Sequence, residues 1–348
     1  MKRILFSIFI SVGIILFLLT QISFHDILSL LKTMDPIWAL WGTLGYILAL
    51  LFRALRFKWL IHSRDIPLSD LIRISVLHNV SLMILPSKLG ELSYPYLLNK
   101  MRGMTITEGL ASLIASRVYD FFTVLIIFLF ASIGFQGFFR INIFFVILLA
   151  ALLIGLSLLV FFYMSGLLRL LANVWGMVVN RTGLKNNKFS HWGERKIREV
   201  AEDFYAIQAR KTFLPVTLTS LVSWIMAFWM FYALLRGFGT SLSFLKVIFA
   251  STIALFGNAL PIGGLGNWGI LEAGWTAGFL LVGLSKEKAI ATGFGVHIVI
   301  FIIGIIIGSI CWMTLRSPTL PDRSSAGLPS LVERGFKQTD EQAQVNKG

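Results

Sequence analysis

The chain has 348 residues, of which 56% are hydrophobic and 14% charged, and its mean hydropathy is +0.80. Soluble domains average roughly 45–50% apolar and about 25% charged, so this composition excludes an ordinary soluble enzyme and predicts a polytopic membrane protein. The net charge of +14 fits cytoplasmic loops and anionic lipid rather than nucleic acid, because no basic–aromatic module lies outside the apolar segments.

The basic start Met1-Lys2-Arg3 precedes the apolar run 4–19. No Ala-x-Ala-like cleavage site follows it, so an uncleaved first helix is predicted. An outer loop is expected over 25–35, and Pro36 opens a second helix to about Phe52. That helix ends in Arg53-Ala-Leu-Arg56-Phe-Lys58-Trp59, with Arg64 beyond, the pattern of a cytoplasmic interface. Arg53 and Arg56 share one helix face, so besides anchoring topology they are candidates to gather an anionic head group.

Residues 71–85 are apolar but interrupted by Arg73, His78 and Asn79, and fall short of the about 20 residues that span a bilayer. They run into Leu85-Pro86-Ser87-Lys88-Leu89-Gly90-Glu91, a short apolar piece to Leu98, and then Lys100 and Arg102. A segment that leaves a positive loop and returns to one reads as a re-entrant hairpin from the cytoplasmic side. Thr105-Ile-Thr-Glu108 has capping-box spacing, and the helix it opens is expected to reach Ser132. Arg117 then falls about 18 Å along it at ~1.5 Å per residue. Asp120 follows one turn later on the same face, giving an expected buried Arg117–Asp120 pair, either functional or joining helices.

A plain span is predicted over 141–163, followed by a basic cytoplasmic loop (166–212). In that loop Ile197, Val200, Phe204 and Ile207 recur at helical spacing, as in an amphipathic helix along the membrane surface. Span 213–235 crosses outward, 289–313 makes the last crossing, and the tail 317–348 is polar and expected to be disordered. Between those two spans lies N-A-L-P-I-G-G-L-G-N-W-G-I-L-E, residues 258–272, which reads as a second hairpin entering from outside. The transmembrane domain is thus 1–316, all-α, with about six full spans, two oppositely oriented re-entrant hairpins, and both termini cytoplasmic. Lysines and arginines outside are confined to Lys32, Arg140, Arg236, Lys246, Lys286 and Lys288.

The two hairpin tips read Leu85-Pro86-x-x-x-Gly90 and Leu260-Pro261-x-x-x-x-Gly266, and each is followed by a glutamate, Glu91 or Glu272. Oppositely oriented broken elements in two halves point to a transporter-like site near the midplane. Gly263, Gly264, Gly266 and Gly269 permit close backbone approach by a ligand. A helix starting near Trp268 would aim free N–H groups at an anion, and Lys88 and Arg117 would add positive charge. Glu91 and Glu272 could pair with those cations or take a proton in a gating cycle. The plainer alternative, glycines for helix packing, accounts well for Gly274 and Gly278.

Gly264-x-Gly266-x-x-Gly269 lies inside a membrane segment with no βαβ unit, so it is not a dinucleotide fingerprint. The five histidines give no metal spacing. His297 reads as a packed, hydrogen-bonded residue. Cys311 is the only cysteine, leaving no intramolecular disulfide and no cysteine-based metal site. No cofactor is expected.

Arg53-x-x-Arg56-Phe, Leu85-Pro-Ser-Lys-Leu-Gly-Glu91, Arg117-x-x-Asp120 and Leu260-Pro-Ile…Gly-Asn-Trp-Gly-Ile-Leu-Glu272 occur in this order. Together they resemble the flippase-like transmembrane domain of the lysylphosphatidylglycerol synthase family, including its stand-alone relatives. The resemblance implies a multi-pass inner-membrane protein of a bacterium or archaeon. It would move or position an anionic or isoprenoid-linked lipid between leaflets, with a lipid-modifying membrane enzyme as a possible partner. Leu271 stands where relatives often carry Arg, and His297 near where a later Arg is common. Without the aminoacyl-transferase domain of full synthases, aminoacylation is not expected. The rival readings are a membrane enzyme acting on a lipid carrier and a non-transporting lipid-binding partner.

Overall fold

The computed structural model describes residues 2–63, 65–86, 89–133, 143–181, 188–210, 212–259 and 267–314. Among them every helix and turn follows from apolar segments bounded by caps and breakers. The order is α1 (Lys2–Leu19), α2 (Phe24–Lys32), α3 (Pro36–Leu60), α4 (Leu68–Ile84), a 3₁₀ turn (Leu89–Leu92), α5 (Ser93–Arg102) and α6 (Ile106–Ile133). It continues with α7 (Ile143–Arg181), α8 (Lys188–Ala209), α9 (Phe213–Gly237), α10 (Phe244–Ala259), α11 (Ile270–Leu281) and α12 (Lys286–Met313). α3, α6, the stretch Phe161–Val179 of α7, α9 and α12 are long and apolar enough to cross a membrane. A sixth crossing arises if the pair Ser11–Leu19 and Phe24–Lys32, bent by 82°, counts as one span. The chain is therefore an all-α, multi-pass membrane protein.

The first connection differs from expectation. Residues 25–35, predicted as a loop, are mostly α2, because Ser23 caps it and the Asp26 carboxylate accepts a hydrogen bond from the Ser23 N–H. Asp35 then caps α3, with Pro36 in its first turn.

Lipid tails are as apolar as leucine, so close packing and hydrogen bonds hold membrane helices together. α3 and α9 show this. Gly42 faces the Leu234 side chain, Gly45 lies against the Met226 carbonyl, and Ser223 Oγ donates to the Ala49 carbonyl at 3.0 Å. α10 and α11 run side by side at still closer range. A Cβ on Gly274 would lie 2.9 Å from Ala254 Cα, and one on Gly278 only 2.1 Å from the Ala250 carbonyl oxygen. With 16 and 12 residues, both are shorter than a bilayer crossing needs, as a hairpin requires. α4 and α5 make the other broken element. The 3₁₀ turn between them rests on α4 so tightly that a Cβ on Gly90 would sit 2.6 Å from the Ser81 carbonyl oxygen.

α7 runs on for 39 residues to Arg181, well past the predicted end at Tyr163. The apolar face of α8 does not wait for lipid either. Val200, Phe204 and Ile207 are buried with Phe161, Tyr119 and Val216 in one cluster, because α8 folds back on α6 and α7. The capping box at Thr105 is half made: Thr105 Oγ accepts from the Glu108 N–H at 3.2 Å. The Glu108 carboxylate instead accepts from the His62 and Ser63 N–H groups at 3.0 and 2.8 Å. It thereby ties the exit of α3 to the start of α6. The tail 317–348 and the loop around Arg140, expected to be an outer one, lie outside the described residues.

Candidate functional site

The site grows from charges that a membrane helix tolerates only when paired. The expected Arg117–Asp120 pair is a minor contact, at 3.4 Å. Asp120 is instead gripped by Arg56 of α3, Nη1 to Oδ1 at 2.5 Å and Nη2 to Oδ2 at 3.2 Å, and it accepts the Trp224 indole N–H at 2.7 Å. Arg56 is 2% exposed, so this ion pair is buried and structural in position, joining α3, α6 and α9. Spacing along α6 made Arg117 the obvious partner. The rotation of α3 brings Arg56 in ahead of it.

Arg117 turns the other way and donates to Glu91 Oε2 at 2.6 Å. The glutamate of the first hairpin is thus paired with a cation of α6, one of the two roles expected of it. His78 sits behind it, hydrogen-bonded to Ser93 Oγ at 2.9 Å, with its other nitrogen 3.9 Å from Glu91.

These groups border a cavity of about 920 Å³ whose wall is mainly apolar, with Arg53, Asn79, Glu91, Arg117 and Asp120 among its polar members. Arg53 makes no salt bridge among the described residues: it reaches Asn79 Oδ1 at 3.5 Å and stacks 5.6 Å from the Trp224 ring centroid, with the Asp120 charge close by. Asn79 also donates to the Tyr46 hydroxyl at 2.6 Å. The expectation that Arg53 and Arg56 act together therefore divides. Arg56 is consumed by Asp120, and Arg53 faces open space.

Asn267 and Leu271 of the second broken element and His297 of α12 also line the cavity. Asn267 and Gly269 both have positive φ (63° and 88°), and a Cβ on Gly269 would lie 2.8 Å from the Ser11 carbonyl oxygen of α1. This turn therefore requires glycine at 269. Glu272, fully buried, accepts the Gly269 N–H at 2.6 Å on one oxygen and lies 2.5 Å from His297 Nδ1 on the other. The helix start expected to receive a ligand anion near Trp268 thus carries the chain's own carboxylate. Trp268 instead stacks on His297, centroids 4.0 Å apart and planes 13° from parallel.

The structure accordingly places Arg53, Gly90, Glu91, Arg117 and Asp120 on the cavity, with Arg56 behind Asp120, whereas Trp268 and Glu272 reach it only through their contacts with His297 and Gly269 lies in the turn beneath them. Lys88, Pro261, Gly263, Gly264 and Gly266 lie outside the described residues. His297 was read as a packed, hydrogen-bonded residue, and it is one; its partner Glu272 was not foreseen. Trp224, Asn79 and Tyr46 were missed. Asn79 was legible as a polar residue inside an apolar segment, whereas Trp224 gives no signal in an aromatic-rich helix. No group of three or more metal-ligating side chains occurs among the described residues.

A helical membrane domain with two interrupted elements and a large, mostly apolar cavity holding ionic side chains is the architecture of a protein that accommodates an amphiphile. The chain belongs to the family of the lysylphosphatidylglycerol synthase TM region, whose model matches residues 4–308. No curated protein matches it.

Proposed function

We propose that this protein translocates a membrane lipid with an anionic head group between leaflets of the inner membrane. The observation that carries the reading is Arg53: a cation on a 920 Å³, mainly apolar cavity that is hydrogen-bonded, among the described residues, to the Asn79 amide and stacked on the Trp224 indole, while the nearby Asp120 is ion-paired with Arg56. An anionic head group would dock at Arg53, with Arg117 able to exchange Glu91 for the ligand, while acyl or isoprenoid chains lie along the apolar wall. Glycine-hinged hairpins supply the mobile walls that alternating access requires. The two hairpins enter from opposite faces, the termini lie in the cytoplasm, and the positive ends of the spans face inward. The matched family region is a transmembrane one, which is consistent with a membrane lipid-related role. A lipid-modifying membrane enzyme would supply or consume the transported lipid.

The test is lipid movement in proteoliposomes with head-group-labelled anionic and zwitterionic lipids, comparing wild type with Arg53→Gln, Arg117→Ala and Glu91→Gln. Arg53→Gln is expected to abolish preference for the anionic lipid, and the other two to slow its movement by about tenfold or more. Equal rates in all four proteins would remove the site.

A further inference from the structure

We infer that Glu272 and His297 form a proton-binding site on the cavity, and that a proton enters this pair when an anionic head group binds; the inference rests on the proposed function. The geometry is specific. Glu272 is fully buried, and each of its oxygens has one partner, the Gly269 N–H and His297 Nδ1. His297 is 4% exposed and is among the residues that line the cavity. Trp268 covers one face of the imidazole in a near-parallel stack. A carboxylate buried against an imidazole that also meets a wet cavity is a pair that a proton can reach and leave.

Charge balance then links the proton to the ligand. Among the described residues, the cavity and the layer behind it hold the cations Arg53, Arg56 and Arg117 and the carboxylates Glu91, Asp120 and Glu272. Tyr46 of α3, which also lines the cavity, and His78 of α4 are the other titratable groups on these walls. Around the pair itself, α1 offers Ser11 and Ile14 against Gly269, and α12 offers Phe301 against Trp268; neither brings a charge. Counted among the described residues, these three cations match these three carboxylates. An anionic head group at Arg53 would leave one negative charge uncompensated in a low-dielectric space, which is costly. A single proton taken up by Glu272–His297 restores neutrality. By linkage the relation is reciprocal: protonation strengthens anion binding, and loss of the proton favours release. A proton gradient would then give transport a direction.

The experiment uses the full chain in phosphatidylcholine nanodiscs, weakly buffered, to which phosphatidylglycerol is added while a pH-indicator dye counts protons. Bound phosphatidylglycerol is measured separately from a head-group label. The expected result is uptake of about one proton per bound phosphatidylglycerol, and none with added phosphatidylcholine. Glu272→Gln and His297→Gln should each lose the uptake. Imidazole NMR of the wild-type chain supplies a readout that needs no variant to fold, since ring-current shielding from Trp268 marks the His297 signal. That signal should titrate, and its midpoint should move when phosphatidylglycerol is present. Phosphatidylglycerol binding without proton uptake overturns the inference and leaves the proposed function standing. If phosphatidylglycerol does not bind, the proposed function falls. The proton site then survives only if the His297 signal still titrates in phosphatidylcholine alone.

Discussion

Asp120→Ala tests most directly how this fold is held together. The substitution leaves Arg56, which is 2% exposed, with Ser220 Oγ at 3.3 Å as its remaining near partner besides the empty space. It also strips the acceptor from the Trp224 indole N–H. Breaking a buried ion pair by removing one member costs about 3–5 kcal/mol, and an orphaned buried N–H adds about 1–3 kcal/mol. Water entering from the adjacent cavity offsets part of this, so a loss of about 4 kcal/mol is expected. The assay is reversible unfolding in mixed micelles, followed by tryptophan fluorescence, for Arg56→Met, Asp120→Ala and the double variant. Because the charges exist for each other, the double variant should be less damaged than the two single losses combined, by about 2 kcal/mol. Additivity within about 0.5 kcal/mol would show that Arg56 and Asp120 do not support each other, and would refute the assignment. Arg117 and Glu91 provide the contrast. Their side chains are 44% and 29% exposed, and such pairs are worth about 0–1 kcal/mol, so Arg117→Ala should impair transport at nearly unchanged stability.

Gly278→Ala should destabilise by about 1–3 kcal/mol, since its Cβ would meet a backbone carbonyl at 2.1 Å rather than a movable side chain; thermal unfolding in detergent measures it, and a neutral result would mean α10 and α11 are not tightly apposed. Gly90→Ala should slow lipid movement by displacing the 3₁₀ turn that carries Glu91, a loss visible in the proteoliposome assay. In α8, burial holds the Asp203 carboxyl above its usual range, with Glu108 and Glu199 adding to the effect and Thr107 and His62 opposing it. The folded state therefore binds this proton more tightly than the unfolded chain, and stability is lost as pH rises from the unfolded value, about 3.9, through the raised folded one. Asp203→Asn should consequently gain stability relative to wild type at neutral pH and lose that advantage near pH 4, as melting curves at the two pH values will record.

Much of this protein was legible in its sequence. Long apolar runs, Pro36 in the first turn of α3, and segments too short to cross before and after each Pro–Gly break have local causes, and a chain can show local causes one residue at a time. The same reasoning identified Glu91, Arg117, Asp120 and Glu272 as costly intramembrane charges and Gly274 and Gly278 as packing positions. Regular structure went astray where a cap lay in apparent loop, at Ser23 and Asp26, and where α7 continued through Arg169 to Arg181.

What the sequence could not decide was which charges meet. Spacing along one helix joins Arg117 to Asp120, three residues apart. The strongest partner of Asp120 is Arg56, 64 positions away, because α3 and α9 approach closely enough to turn that guanidinium inward. For the same reason Glu272 and His297, 25 positions apart, become one unit only when α11 lies against α12. The price of an unpaired charge in a membrane is fixed by composition, but the partner that relieves it is chosen by helix rotation and packing. That choice leaves Arg53, unremarkable beside Arg56 in the sequence, on the cavity without a salt bridge among the described residues.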